Sequence, residues 1–350
     1  MNRKWKVSTV VFLALLVMML AALPFVVPSG AITVRAQTAY DENIYLLLEE
    51  EGDSAEEILE EDVQESGARL VLNASGGSAP EAAALPMGYT PGLTPNPAGF
   101  TENGYEDASI AVALESREVD GSMFHIARVK IAHPSQLRTA LAGPYGTKNS
   151  NRPSTMAQKN NAVVAINGDY FINRDGGYII RQGQFHRAPS SERGTLHVLA
   201  IDSRGDFHIL VNDRFKQFMA LRKDESNPLL QVFTFGPALV MDGAVQPMPK
   251  EYKFDFDSRN PRTAIGQTGP LQYVLVLVEG RSENSPGVTT EALASFMAEI
   301  GCTQAFNLDG GNSSVMVFNN NIYAKGMDNK ERPVSDIIYF ASAVDPASWQ

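Results

Sequence analysis

The sequence predicts an α+β fold over residues 105–350, a strand-rich mixed sheet with a few helices and one β-α-β crossover near the C-terminus. Three observations predict it. Short apolar runs rich in Val, Ile and Phe alternate with turn dipeptides from Ser109 onward. One segment, 289–300, has helical spacing with a cap at each end. And that helix stands between two apolar runs, 271–279 and 303–308, the order of a crossover unit.

Taken in chain order, "SIAVALESREVDGSMFHIARVKI" reads as two strands turned at Val119-Asp120-Gly121. "SQLRTALAG" reads as a short helix with Ser135 as N-cap and Gly143 past its end. "NAVVAIN" is a buried strand ending at Asn167-Gly168-Asp169. Strands follow over 195–201, 206–211 and 232–241, the last turned at Asp242-Gly243. "RTAIGQTGPLQYVLVLVEG" is a hairpin folded near Thr268-Gly269-Pro270. In the helix, Thr289 or Thr290 caps the start and Glu291 sits in the first turn. Leu293, Phe296, Met297 and Ile300 then share one face before Gly301.

Upstream the composition differs. Arg3, Lys4 and Lys6 precede Val7–Val27, which is apolar apart from Ser8, Thr9 and Pro24. Residues 1–36 therefore read as a signal peptide or membrane anchor, with Val34-Arg35-Ala36 as a cleavage site. Either form puts the rest of the chain outside the cytoplasm. Residues 37–104 read as a largely flexible spacer, acidic at first and then rich in Pro and Gly, with some helical character in "YLLLEEE" and "ILEEDVQ".

The net charge of −11 is concentrated there, because residues 41–66 hold 12 carboxylates and no Lys or Arg. From Tyr105 onward 24 basic residues stand against 26 acidic ones. No basic stripe exists to meet nucleic acid. Cys302 is the single cysteine, so no intrachain disulfide forms, and it reads as a small buried apolar residue rather than a nucleophile. The five histidines show no metal-ligand spacing, and only His186 lies in a loop-like stretch near 167–171.

The chemistry collects at one edge. If the two strands of the crossover are parallel neighbours, Glu279 and Asp309 end on the same side, where the helix also begins. The hairpin returns Arg262 to that side, and Arg281 lies two residues past Glu279. The stretch "AFNLDGGNSSVMVF" carries Asp309 into a glycine-rich turn. Paired carboxylates suit cleavage of a glycosidic bond. Arginines and free backbone N–H groups suit a phosphate oxyanion. A substrate with both an anomeric carbon and a phosphate would use the whole set.

"AINGDYF" (165–171), "FTFGPALVMDG" (233–243), "NPRTAIG" (260–266), "GVTTEALASFMAEIGCTQAFNLDGGNSSVM" (287–316) and "RPVSDIIYF" (332–340), in this order, resemble the phosphodiester glycosidase family, whose bacterial relatives are often labelled exopolysaccharide biosynthesis proteins. The resemblance covers about 105–345. It implies a hydrolase that cleaves between the anomeric carbon and the phosphate oxygen of a sugar-1-phosphodiester. It also implies functional roles for Asn167, Gly168 and Phe171, for Arg262, for Glu279 with Gly280 and Arg281, for Glu291, and for Asn307, Asp309, Gly310 and Gly311. Asn312 stands where the family often has a third glycine, Asp336 where it often has Asn, and Glu279 where many relatives have Asp.

The resulting expectation is an exported hydrolase acting on a sugar-phosphodiester or phosphorylated glycan of the cell envelope. Asp309 and Glu279 are the expected catalytic pair. Asn167, Gly168, Asp169, Arg262, Arg281, Asn307, Gly310, Gly311 and Ser313 are the expected substrate contacts. Each has a plainer reading: Asp309 and Asp169 as turn formers, Glu279 and the arginines as ion-pair partners, Glu291 as a first-turn carboxylate. No cofactor is required, although calcium on Asn167, Asp169 and Asp309 is conceivable. Two rival functions are a metal-dependent phosphodiesterase that breaks P–O and a non-catalytic polysaccharide-binding protein.

Overall fold

The computed structural model describes residues 84–327 and 331–349, and the backbone alone of Ile32–Gln37 and Tyr45–Glu50. The leader and most of the acidic segment lie outside the described residues. Two compact units divide at Gly67. In the first, Ile32–Gln37 pairs antiparallel with Tyr45–Glu50, so "YLLLEE" is extended where helical character was expected. Its partner strand carries the β-branched Ile32, Thr33 and Val34.

The second unit holds three sheets, of nine, five and five strands. Their strand pairings are antiparallel throughout, where a mixed sheet was expected. One core joins them: Ile110, Val112 and Leu114 from the large sheet meet Leu199 and Phe233 from the second and Val164, Ile166 and Ile338 from the third. Each sheet is backed on its other face by one helix. Pro153–Lys159 covers the third sheet through Met156 and Ala157. Arg214–Lys223 covers the second through Phe218. Thr290–Glu299 covers the large sheet through Leu293, Phe296 and Met297, with the Phe296 ring 4.3 Å from that of Phe124. Strands covered on both faces must be apolar at every position, and Gln272–Val278 is buried from Tyr273 onward.

Two expected elements change. "LRTAL" is a strand, Leu137–Leu141, paired with Asp336–Ala341, and Ser135 lies in a single 3-10 turn before it. A five-residue helix gains little by itself, whereas as a strand these residues bury both faces, one of them under the chain before residue 91. There Arg138, fully buried, donates to the carbonyls of Pro86, Gly88 and Thr90. The end of the expected spacer is thereby part of the folded unit. Leu85 is buried, and Phe100–Thr101 and Gly104–Glu106 extend the large sheet. The strand expected over 232–241 is two strands in two different sheets, Leu229–Phe235 and Ala238–Met241, separated at Gly236-Pro237, where proline offers no ladder N–H.

The crossover also changes in one respect. Gln272–Val278 and Gln304–Asn307 are parallel to each other but are not neighbours, because Arg262–Gly269 lies between them, antiparallel to both. The edge survives this. Arg262 opens the middle strand at the place where the flanking strands end, so Glu279, Arg262 and Asp309 still lie side by side.

Candidate active site

Asp309 is placed by what precedes it. Leu308 is fully buried in the common core, and its N–H bonds the Thr263 carbonyl at 2.8 Å. The chain then turns onto Pro261. The Gly311 N–H bonds the Pro261 carbonyl at 2.9 Å, and a Cβ on Gly310 would stand 2.7 Å from that same oxygen, so only glycine allows the approach. The Gly310 N–H has no acceptor among the described residues.

Asp309 lies in the wall between two cavities. The first, about 190 Å³, is lined by Phe235, Phe254 and Phe256, by Arg262 and Arg281, and by Thr290, Asn307, Gly310 and Gly311. The second, about 300 Å³, is lined by Lys148, Tyr170, Ser313 and Arg332. Burial pushes the Asp309 carboxyl up to about 6, against the Ser313 hydroxyl bond and the Arg332 charge, which favour the carboxylate. Such a group exchanges a proton near neutral pH.

Arg281 reaches over the same turn. Its guanidinium lies about one van der Waals contact from the bare face of Gly311 and is steadied by Nε donating to Asn260 Oδ1 at 3.0 Å. Its backbone has φ +61°, a left-handed conformation that costs a large side chain about 1 kcal/mol or more. Two polar atoms on this cavity are buried without a hydrogen-bond partner, Asn307 Oδ1 and Thr290 Oγ1. The Asn307 amide is oriented by its Nδ2 donating to the Gly236 carbonyl at 2.7 Å.

Other expected contacts have structural partners instead. Asp169 is buried, and both its oxygens receive guanidinium groups, from Arg174 and from Arg181, each at 3.0 Å. Arg181 also donates to Asp336 at 2.7 Å, closing a buried four-residue ion network. Burial raises the Asp336 carboxyl, and Arg181 opposes that. Gly168 is the glycine beneath it, since a Cβ there would collide with the Asp336 carboxylate. Asn167 accepts from the Thr263 hydroxyl and the Val315 N–H and donates to the Asp309 carbonyl at 2.7 Å. It therefore holds the Asp309 turn rather than facing solvent. Asp169 and Asn167, two of the three residues on which calcium was conceivable, thus already have protein partners.

Arg262 corrects another expectation. It donates to the carbonyls of Asp255, Phe256, Ser258 and Val288, so it shapes the cavity wall and has little left for phosphate. Burial, reinforced by Arg281, lowers it to about 10, still charged at neutral pH. Ser313 bonds Asp309. Glu279 lies outside both cavities that Asp309 lines. It accepts from, or shares a proton with, His125 Nε2 at 2.8 Å, and His125 Nδ1 meets the Ser116 hydroxyl. Glu291 is an exposed first-turn carboxylate. Cys302 is buried beside Gly266, and burial raises its thiol to about 12, so it is inert.

Sequence reasoning missed Lys148, Arg332 and Thr290. Arg332 stood in a recognised motif, "RPVSDIIYF", but nothing local marked it as a neighbour of Asp309.

The site is thus a half-buried carboxyl, raised to about 6, between two cavities at a strand-end edge. A family model for phosphodiester glycosidases matches residues 160–341, and the chain belongs to that family, a membership that implies a glycosidase-type hydrolase. An uncharacterized SPbeta prophage-derived protein, YomE, of Bacillus subtilis is 28% identical over 197 residues, 55% of this chain and 30% of that protein, so the chain spans under a third of its relative's length. Among solved structures, the zebrafish N-acetylglucosamine-1-phosphodiester alpha-N-acetylglucosaminidase catalytic domain, described as auto-inhibited by its pro-peptide, aligns with a TM-score of 0.52. It is 17% identical and the alignment covers 72% of this chain and 87% of that one, a likeness of fold.

Proposed function

We propose that this protein is exported and hydrolyses the C1–O bond of a sugar-1-phosphodiester in cell-envelope or exopolysaccharide material. The observation that carries the reading is Asp309: a carboxyl raised to about 6, in the wall shared by two cavities, in a member of this family. In cleavage at C1 the departing oxygen belongs to phosphate, so negative charge grows on the phosphoryl group as the sugar becomes oxocarbenium-like. Arg281 and the Gly310 N–H stand where they can meet that charge. Asp309 then handles the proton. Glu279 is the second carboxylate of the proposal. It lies on the same sheet edge, two strand spacings or about 10 Å from Asp309, and its orientation is set by His125. That spacing leaves room for the anomeric carbon and a water between them. Asn307 Oδ1 and Thr290 Oγ1 are left to accept and donate hydrogen bonds with the bound group. Export is supported by the positive and then apolar leader, Arg3 to Val27.

The test is hydrolysis of sugar-1-phosphodiesters in heavy-oxygen water, with and without a chelator, beside Asp309→Asn. Label in the free sugar, absent in the variant, is the expected result. Label in the phosphate would replace this reading with P–O cleavage. Binding without turnover on every diester would replace it with a polysaccharide-binding role.

A further inference from the structure

A separate cavity of about 360 Å³ is lined by Arg174, Arg187, Arg193, Thr234 and Lys253. The Phe235 and Phe254 rings stack at 4.3 Å and 7° and form a wall of the Asp309 cavity. Arg174 Cζ stands 6.0 Å from the centre of the Phe235 ring and Lys253 Nζ 5.8 Å from that of the Phe254 ring. Four cationic side chains line the separate cavity, Arg174, Arg187, Arg193 and Lys253, against one carboxylate, Asp175.

Few of these charges have a direct partner. Arg174 has Asp169, but Arg187, Arg193 and Lys253 have no carboxylate within 4.0 Å among the described residues. Arg187 is half-buried, and its Nη groups donate only to backbone carbonyls, those of Arg174, Phe171 and Gly176. A guanidinium removed from water without a counter-ion is costly. Burial accordingly lowers the Arg187 pKa, with Arg174 adding to the effect. The hydrogen-bonding capacity is incomplete too. Arg174 Nε, Arg187 Nε and the Tyr178 hydroxyl, all on residues that line this cavity, are buried without a partner.

We propose that this cavity is a phosphate-binding site, separate from the cavity over Gly311. Four cations against one carboxylate, with several unused donors, match a dianionic oxyanion with many acceptor positions better than a single carboxylate. The phosphate has two sources, a second phosphoryl group on the same glycan or free inorganic phosphate.

The test is calorimetric titration of the whole protein with inorganic phosphate, which needs no turnover and so stands apart from the proposed reaction. Saturable binding is expected, and the part of it that survives Arg281→Ala should weaken about tenfold or more in the pair Arg193→Ala and Lys253→Ala. Both side chains are exposed, so the fold should survive their loss. Charge reversal at both positions should abolish that part, and Arg281→Ala should leave this site unchanged. No saturable binding, an unchanged affinity in the double variant, or loss with Arg281→Ala instead would overturn the proposal. Kinetics separate the sources. If free phosphate is the ligand, adding it changes turnover of a single-phosphate diester, and the double variant no longer responds. If the glycan supplies it, the double variant raises KM only for a diester carrying a second phosphoryl group.

Discussion

Asp169 and Asp309 both stand just past the end of a buried strand, beside glycine, in stretches that read alike: "AINGDYF" and "FNLDGG". Their surroundings differ completely. Asp169 accepts from two guanidinium groups and from the Thr234 N–H, so both its oxygens are engaged by protein. Asp309 has one hydroxyl partner and two cavities in front of it. The same residue type at the same kind of position becomes a structural anchor in one place and a reactive group in the other. The partners decide it, and the partners come from far along the chain.

Four experiments would break or sharpen that contrast. The largest effect is expected for Asp309→Asn, with kcat falling by about 10²–10⁴ if the carboxyl handles the proton. Stability should move the other way. A carboxyl raised in the folded state binds its proton more tightly there than in the unfolded chain, so its contribution is favourable at low pH and is lost as pH rises through about 6. Removing the charge should therefore stabilise the protein by about 2–3 kcal/mol above pH 6, with little change below pH 4, by denaturant melts across pH. An Asp309→Asn protein less stable at pH 8 would show that the group is an anchor after all.

Asp169→Ala comes next. It leaves Arg174 and Arg181 buried beside a single remaining carboxylate, Asp336, and should cost about 3–5 kcal/mol in a urea melt. A variant with normal stability and no turnover would make Asp169 a site residue, contrary to its surroundings.

Glu279→Gln should lower kcat by about a hundredfold, while stability changes by under about 1 kcal/mol, since the pair with His125 is partly exposed. Loss of stability alone would leave Asp309 as the sole carboxylate. The smallest expected effect separates the two arginines. Arg281→Ala should reduce kcat/KM about 10–100-fold without altering the melt, whereas Arg262→Ala should lower the melt, because four carbonyls lose their donor.

Those long-range partners also explain what could be read in the chain and what could not. The hairpin Ile110–Ile131 and the helix Thr290–Glu299 carry their own instructions, in the Asp120-Gly121 turn and in the Thr289 cap with its apolar face. The helix Arg214–Lys223 carries almost none, with Phe218 and Arg214 its only buried residues, and it went unrecognised. "LRTAL" was misread because its second covered face is provided by residues about 50 positions earlier. The strand Arg262–Gly269 reads correctly as half of a hairpin, but its pairing on the other side with Gln304–Asn307 leaves no local mark. At the site, Asp309 was legible from its strand and glycines. The commitment of Asp169 was not, since Arg181 and Asp336 lie 12 and 167 residues further on. Arg262 looked free for the same reason.

The Arg138 clasp has a consequence for how the molecule can be handled. By tying the carbonyls of Pro86, Gly88 and Thr90 to the strand Leu137–Leu141, it makes residues 85–90 part of the folded unit, well upstream of 105. A recombinant fragment begun at 105 would expose the buried guanidinium and an unprotected sheet edge, and would emerge from the ribosome as a sticky, poorly soluble product.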